Sequence, residues 1–250
     1  FCLYVQPQYN QITEKLVGGE VLVRWKKQDG TIVTPGEFVP VMERSGLISR
    51  LDEFIWNQTA KYLSNRIKNK QNIVPLAVNI SRRDFYNPRF CEIFYNLTEK
   101  YGILPEHLDL EVTESAYIEN ADLIIGIINE LRSRGFKIKM DDFGSGYSSL
   151  NTLKTVPVDT IKLDMQFITL DDGDETSNFR GGVILDSVLR MAHWLGLPVI
   201  AEGVETRKQA EFLKSIDCAI IQGFYFSKPL PLDEFSALLD NSVPEYNDSK

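Results

Sequence analysis

The chain is predicted to be an α/β protein whose strands close into a (β/α)8 barrel, and three observations carry that expectation. Short β-branched or apolar runs alternate with amphipathic stretches, strand followed by helix repeats along the length, and eight such strands fit in 250 residues, the size of one closed barrel. An open, doubly wound sheet is the competing architecture.

In chain order, the strand runs are LYVQPQ, VGGEVLVRW, VPLAVNIS, LDLEVT, FKIKMD, TIKLD, PVIAEG and AIIQGF. Between them, Arg50–Ile67, Ala121–Arg132, Gly182–Leu195 and Thr206–Ser215 place apolar residues near every third or fourth position, the period of a helix with one buried face. Pro105, Pro157 and Pro198 stand just ahead of strands, where they stop or redirect the preceding helix, and Gly135 and Gly196 stand at expected helix C-terminal caps. Leu170–Arg180 (LDDGDETSNFR) has no period and is rich in Asp and Gly, so it reads as a mobile acidic loop before the next helix, and its spacing does not match a calcium loop, which favours a solvated loop over a cation site. Residues 1–240 are expected to form the barrel domain and 241–250 a disordered tail.

With 43% hydrophobic residues the chain can build a sizeable core, and its formal net charge of −8 argues against gripping long nucleic acid through a positive field. A small phosphate ligand held through cations stays compatible with that charge. Cys2, Cys91 and Cys218 are far apart and odd in number, which reads as free core thiols in a reducing compartment, hence a cytoplasmic location. No apolar run approaches the ~20 residues of a membrane span, so this segment is not expected to contact a membrane. The opening FCLYVQPQYN begins inside a strand-like run, which suggests a piece of a longer parent chain that could carry regulatory or membrane-anchored domains.

DDFGSGYSSL at 141–150 puts two adjacent carboxylates at a strand end, ahead of a turn rich in Gly and Ser. Asp141 and Asp142 repel each other and lose solvation there unless cations compensate them, although Asp, Gly and Ser are also ordinary turn residues. Recurrence decides the matter. Glu20, Asn79, Glu111 with Glu114, Asp141 with Asp142, Lys162, Glu202 with Glu205, and Gln222 occupy comparable places in successive strand runs. From Asn79 to Gln222 the steps are 20 to 40 residues, about one strand plus one helix. In a barrel, the C-terminal strand ends share one mouth. Singly, each has an ordinary explanation: Glu20 as a surface carboxylate, Asn79 as a turn residue, Lys162 snorkelling outward, Glu205 as a helix-start charge. Jointly, so many polar groups inside apolar strands are costly unless they satisfy one another or bind ions.

These residues, within DDFGSGYSSL (Asp141–Leu150), IKLDMQF (Ile161–Phe167), AEGVET (Ala201–Thr206) and QGFYFSKPLP (Gln222–Pro231), and with EVTES and VNIS in order, resemble the EAL-domain family of cyclic di-GMP phosphodiesterases over nearly the whole chain. The signature triplet departs from the family form, because Val21 replaces Ala in Glu20-Val21-Leu22. Alternation turns Val21 away from Glu20, so the change is expected to affect packing more than metal binding.

The resemblance implies a TIM-like (β/α)8 barrel with one antiparallel strand at its N-terminal end, and a hydrolase that converts cyclic di-GMP to linear 5′-pGpG in bacterial second-messenger signalling. It implies two Mg2+ or Mn2+ ions, about 3.5–4 Å apart, that activate a water for in-line attack. Glu20, Asn79, Glu111, Asp141, Asp142 and Glu202 are the implied metal ligands, with Asp141 bridging. Lys162 and Gln222 would organise the attacking water, Glu202 would serve as base or only as ligand, and Glu114 would pin the segment Phe143–Leu150, which governs the aspartate pair and a homodimer contact. Arg24 would reach a phosphate and Phe224 would stack on guanine, with Gln6, Leu22, Pro40, Asp164 and Glu205 near the dinucleotide. Oxygen donors of this kind suit Mg2+ or Mn2+, and with only His107 and His193 in the chain, neither in a paired motif, zinc is not expected. Two other functions compete: a receptor that binds cyclic di-GMP without cleaving it, and a barrel enzyme using a magnesium-bound enolate with Lys162 as base. The complete ligand set disfavours the first, and the QGFYFSKPLP and DDFGSGYSSL matches disfavour the second.

Strand parity adds an expectation that needs no family. If Glu111 and Asp141 face inward, so do Asp109 and Lys139, two residues earlier on neighbouring strands, and the two form an ion pair beneath the ligand layer.

Overall fold

The computed structural model describes residues 1–144, 155–165 and 175–242. The strands are β1 (Cys2–Asn10), β2 (Lys15–Lys26), β3 (Ile32–Val33), β4 (Leu76–Ile80), β5 (Leu108–Thr113), β6 (Ile138–Phe143), β7 (Thr160–Asp164), β8 (Val199–Glu202), β9 (Ile220–Gln222) and β10 (Leu230–Pro231). The order β1-β9-β8-β7-β6-β5-β4-β2 returns to β1 through the β1–β2 pairing, so eight strands close a barrel and the open sheet is excluded. Strands β2 and β4 through β9 are parallel, whereas β1 is antiparallel to both neighbours. The cause is local. Asn10 Oδ1 accepts the N–H groups of Ile12 at 2.9 Å and Thr13 at 3.1 Å, an Asx turn that sends β2 straight back along β1 with no crossover helix between them.

Helices wrap the outside: α1 (Pro35–Ser45), α2 (Ile48–Lys68), α3 (Phe90–Tyr101), α4 (Glu114–Glu119), α5 (Ala121–Ser133), α6 (Glu175–Trp194), α7 (Arg207–Ser215) and α8 (Leu232–Asn241). Gly135 after α5 has φ +97° and Gly196 after α6 has φ +70°, the left-handed helix ends that glycine reaches without strain. α1, α3, α4 and α8 are not among the helical stretches that the period marks, and α6 starts early. α1 is hidden in the sequence by Gly36 and Pro40, yet Thr34 and Glu37 form a capping box at its start. α6 begins at Glu175, so the end of the supposed acidic loop is helical, while 170–174 lie outside the described residues. α8 runs through Asn241, one residue past the expected domain edge; 243–250 lie outside the described residues.

The core lies between barrel wall and helices. Trp56 of α2 meets Phe90 of α3 edge-on and Phe94 at a tilt, and Phe94 meets Phe136 edge-on, a chain of rings under α2 and α3. Trp56 also reaches the barrel: its Nε1 donates to the Asn79 carbonyl oxygen at 3.2 Å, which fixes the end of β4. Val21 is buried in this outer core, so the departure from the family triplet does fall in packing. Cys91 and Cys218 are buried thiols, while Cys2 is only partly buried. Among the described residues, no helix is long and apolar enough to cross a membrane.

Candidate active site

Inward-facing residues at the C-terminal ends of the parallel strands converge on one side chain. Lys162 of β7 is completely buried, and its Nζ lies 3.2 Å from Glu20 Oε2, 2.8 Å from Glu111 Oε2, 3.0 Å from Asp141 Oδ1 and 2.7 Å from Glu202 Oε1. The outward-snorkelling alternative is thereby excluded. Asn79 Nδ2 donates to Glu20 Oε1 at 3.1 Å, and Gln222 Nε2 donates to Glu20 Oε2 at 2.6 Å. Side chains more than a hundred residues apart thus share one polar cluster, as the strand-end recurrence required.

The adjacent aspartates are accommodated by a bulge. β6 slips register against β7 between Met140 and Phe143, and Asp142 adopts φ +55°. In a regular strand Asp142 would point away from Asp141; the left-handed residue, uncommon outside Gly, Asn and Asp, breaks that alternation. Asp142 remains more exposed than Asp141 yet within the field of Asp141, Lys162, Asp164 and Glu20. Its carboxyl is held above the ordinary value by burial first and by Asp141 next.

Burial is the largest single influence on each of these groups, but it does not always prevail. It pushes Glu111 up to about 8, with Glu20 and Asp141 adding to the rise against Lys162. Burial also holds Glu202 well above the carboxylate range, again with Lys162 opposing and the other carboxylates adding. Glu20 ends below its usual value, because Lys162, Gln222 and Asn79 together outweigh its burial. For Lys162 the burial penalty is overcome by Glu111, Glu20, Glu202 and Asp141, and its pKa stands well above an ordinary lysine.

Four carboxyl groups, those of Glu20, Glu111, Asp141 and Glu202, face one ammonium with Asp142 beside them, and keeping all of them ionised calls for further cations. Glu111 Oε1 is buried with no hydrogen-bond partner. Carboxylate and amide oxygens suit Mg2+ or Mn2+, so the residues present fit such an ion. Among the described residues, no three His, Cys, Asp or Glu groups form a ready cage, since the Lys162 ammonium stands between them. A bound ion would compete with Lys162 for the same oxygens.

The remaining expected residues distribute around this cluster. Gln6 Oε1 accepts from Gln222 Nε2 at 3.2 Å. Glu114, buried at the start of α4, accepts from the Gly144 N–H at 3.4 Å; the rest of its supposed target, 145–150, lies outside the described residues. Leu22 and Arg24 follow Glu20 on the same face of β2, and the Arg24 guanidinium sits 5.5 Å from the Tyr4 ring centroid. Asp164 is the register partner of Glu202. Phe224 is half exposed beyond β9, with Lys228 Nζ 5.5 Å from its ring centroid. Glu205 is exposed ahead of α7, where its N–H donates to Gln209 Oε1 at 2.9 Å. Pro40 is exposed within α1 and belongs to no strand end.

Below the carboxylates, Lys139 Nζ and Asp109 Oδ2 are 3.0 Å apart and both residues are buried, the ion pair that parity required. Sequence reasoning missed Gln8. It accepts from Lys139 Nζ at 3.1 Å and donates to Gln222 Oε1 at 2.8 Å, and its parity with Gln6 on β1 was the signal that could have found it.

The EAL domain family model matches residues 1–229. MucR of Pseudomonas aeruginosa, described as a bifunctional diguanylate cyclase/cyclic di-GMP phosphodiesterase, is 32% identical over 237 residues, covering 94% of this chain and 34% of that protein. A solved structure of the PaMucR phosphodiesterase in complex with c-di-GMP superposes with a TM-score of 0.86 at 32% identity, covering 93% of each chain. Klebsiella pneumoniae BlrP1, solved as a manganese/cy-diGMP complex, gives a TM-score of 0.78 at 26% identity, over 92% of this chain and 56% of that one. The chain spans between 28% and 44% of the length of the first curated relatives it matches. With the family model covering nearly the whole barrel and the motifs at its mouth, the chain belongs to the EAL domain family.

Proposed function

We propose that this chain is a divalent-metal-dependent phosphodiesterase that hydrolyses cyclic di-GMP to linear 5′-pGpG. The observation that carries this is the strand-end cluster of Glu20, Glu111, Asp141 and Glu202 around Lys162, with Asn79 bonded to Glu20, in a family whose relatives include proteins named for that activity. Glu20, Asn79, Glu111, Asp141, Asp142 and Glu202 would hold a pair of Mg2+ or Mn2+ ions. When bound, such a pair lowers the pKa of water and offsets charge on the leaving oxygen.

The chain's own groups supply the rest. Attack of a water oxygen on phosphorus breaks the bond to the 3′-oxygen, which leaves with a proton and gives pGpG. Lys162, fixed by four carboxylates, orients that water or offsets charge on the phosphoryl oxygens, and Gln222 orders the same water network. Glu114 braces the backbone after the aspartates. Arg24, on the Glu20 face of β2, is suited to a phosphate, and exposed Phe224 to a guanine face. Gln6, Leu22, Asp164 and Glu205 line the approach. A homodimer, regulatory domains in a longer parent chain and a cytoplasmic setting complete the proposal; the length of the curated relatives and the unpaired cysteines support the latter two.

Incubation with cyclic di-GMP and Mg2+, followed by chromatography, tests it. The expected product is pGpG, lost in Glu111→Gln. Tight binding without cleavage would replace the enzyme by a receptor.

A further inference from the structure

Under the carboxylates, hydrogen bonds run in one direction from a cation to an anion. Lys139 Nζ donates to Gln8 Oε1 at 3.1 Å, Gln8 Nε2 to Gln222 Oε1 at 2.8 Å, and Gln222 Nε2 to Glu20 Oε2 at 2.6 Å. Lys139, Gln8, Gln222 and Glu20 are 6%, 1%, 3% and 7% exposed, so bulk water does not compete. Neither Gln8 nor Lys139 is among the residues that the family resemblance implies.

We propose that Gln8 and Lys139 are positioning residues: they set which way the Gln222 amide faces, and so how Glu20 is presented to a divalent ion. The proposal rests on the metal-dependent reading of the site. An ammonium only donates, so Gln8 must offer it the oxygen, which leaves Gln8 Nε2 for Gln222. Gln222 then has its oxygen engaged and both N–H groups free for Glu20 and for Gln6 Oε1, 3.2 Å away. Reversing either amide sets N–H against ammonium, or a carbonyl oxygen against a carboxylate, in a buried setting where such contacts are expensive. Asp109, 3.0 Å from Lys139, anchors the positive end. The backbone also makes room for the relay. Gly18 is the register partner of Gln8, and a Cβ there would lie 2.8 Å from Gln8 Oε1.

Gln8→Glu is the discriminating variant, because it keeps the length and the Lys139 contact but has no N–H for Gln222. Through-space attraction alone would make the added carboxylate tighten Mn2+ binding. The relay instead turns the Gln222 amide over, puts its oxygen against Glu20, and weakens Mn2+ roughly 10–100-fold, the usual effect of losing an outer-shell partner. Mn2+ alone is titrated into metal-free protein and the free ion followed by electron paramagnetic resonance, with melting curves to confirm folding. The side-chain 15N–1H2 resonances of Gln222, assigned by their loss in Gln222→Glu, shift in Gln8→Glu. Should Gln8→Glu not fold, the charge-balanced pair Lys139→Met with Asp109→Asn releases the same amide and is expected to weaken Mn2+ likewise. Equal or tighter Mn2+ binding by these variants, beside a wild type that binds, overturns the relay and leaves the site reading intact. A wild type that binds no Mn2+ overturns the site reading and the relay with it.

Discussion

At the scale of single residues, the site is governed by how few positive charges serve many negative ones. Lys162 faces four carboxyl groups at 2.7–3.2 Å, so Lys162→Met is expected to lower turnover by about 10²–10³-fold, the usual cost of removing a preorganised electrostatic group. The same variant should melt lower without metal and gain more from Mn2+ than the wild type, because an ion no longer competes with the ammonium. Calorimetry with and without Mn2+ checks both signs. The Asp109–Lys139 pair makes a separate prediction. Removing only Lys139 leaves a buried carboxylate, and Lys139→Met should cost about 3–5 kcal/mol, most of it recovered when Asp109→Asn is added. A double-mutant cycle in urea measures this coupling, and additive costs would refute it.

At the scale of elements, the packing of α2 against the end of β4 holds a second acidic contact, away from the Lys162 cluster. Asp52 of α2 and Asp84 after β4 are both buried, and Asp84 Oδ2 accepts from Ser81 N at 3.1 Å and Ser81 Oγ at 2.7 Å. Burial, then the charge of Asp84 and a hydrogen bond shared with it, pushes the Asp52 carboxyl up to about 8; Glu43 adds to the rise and Ser81 opposes it. The folded state therefore holds a proton that the unfolded chain releases near pH 4. Stability from this contact is present in acid, falls as pH rises between about 4 and 8, and is fully lost above that. Asp84→Asn should flatten the decline and stabilise the protein at pH 9 by about 1.4 kcal/mol or more, the free energy of a tenfold change in proton affinity. Urea midpoints at pH 5, 7 and 9 measure it.

The same scale shows what could be read from the chain. Period-two alternation was enough to point Asp109 and Lys139 inward and to send Val21 to the packing side, because parity is a covalent property of a strand. Gln8 obeys the same rule, yet a lone glutamine carries no chemistry until its partners, Lys139 and Gln222, face it. The Asp52–Asp84 contact depends on how α2 lies against β4, which no local pattern encodes. In α1, Gly36 and Pro40 masked a helix that its capping box and tertiary packing sustain.

At the scale of the whole molecule, barrel closure converts dispersed strand ends into one site. β1 closes the ring between β2 and β9, and through Gln6 and Gln8 it supports Gln222, so the antiparallel strand is part of the site's frame. Because an ion would cross-connect β2, β4, β5 and β6, metal should stabilise the entire fold. At a hundredfold excess over its dissociation constant, the gain is about 2.7 kcal/mol. For a domain of this size, each kcal/mol raises the melting temperature by roughly 2–4 °C. Chelation should reverse the rise, and Glu111→Gln should shrink it.

The most direct test is anomalous diffraction from crystals grown with Mn2+ and cyclic di-GMP. Manganese is expected at the barrel mouth, bound by Glu20, Asn79, Glu111 and Asp141, with the dinucleotide phosphate facing it. A mouth without manganese, its carboxylates still gathered only on Lys162, would contradict the account.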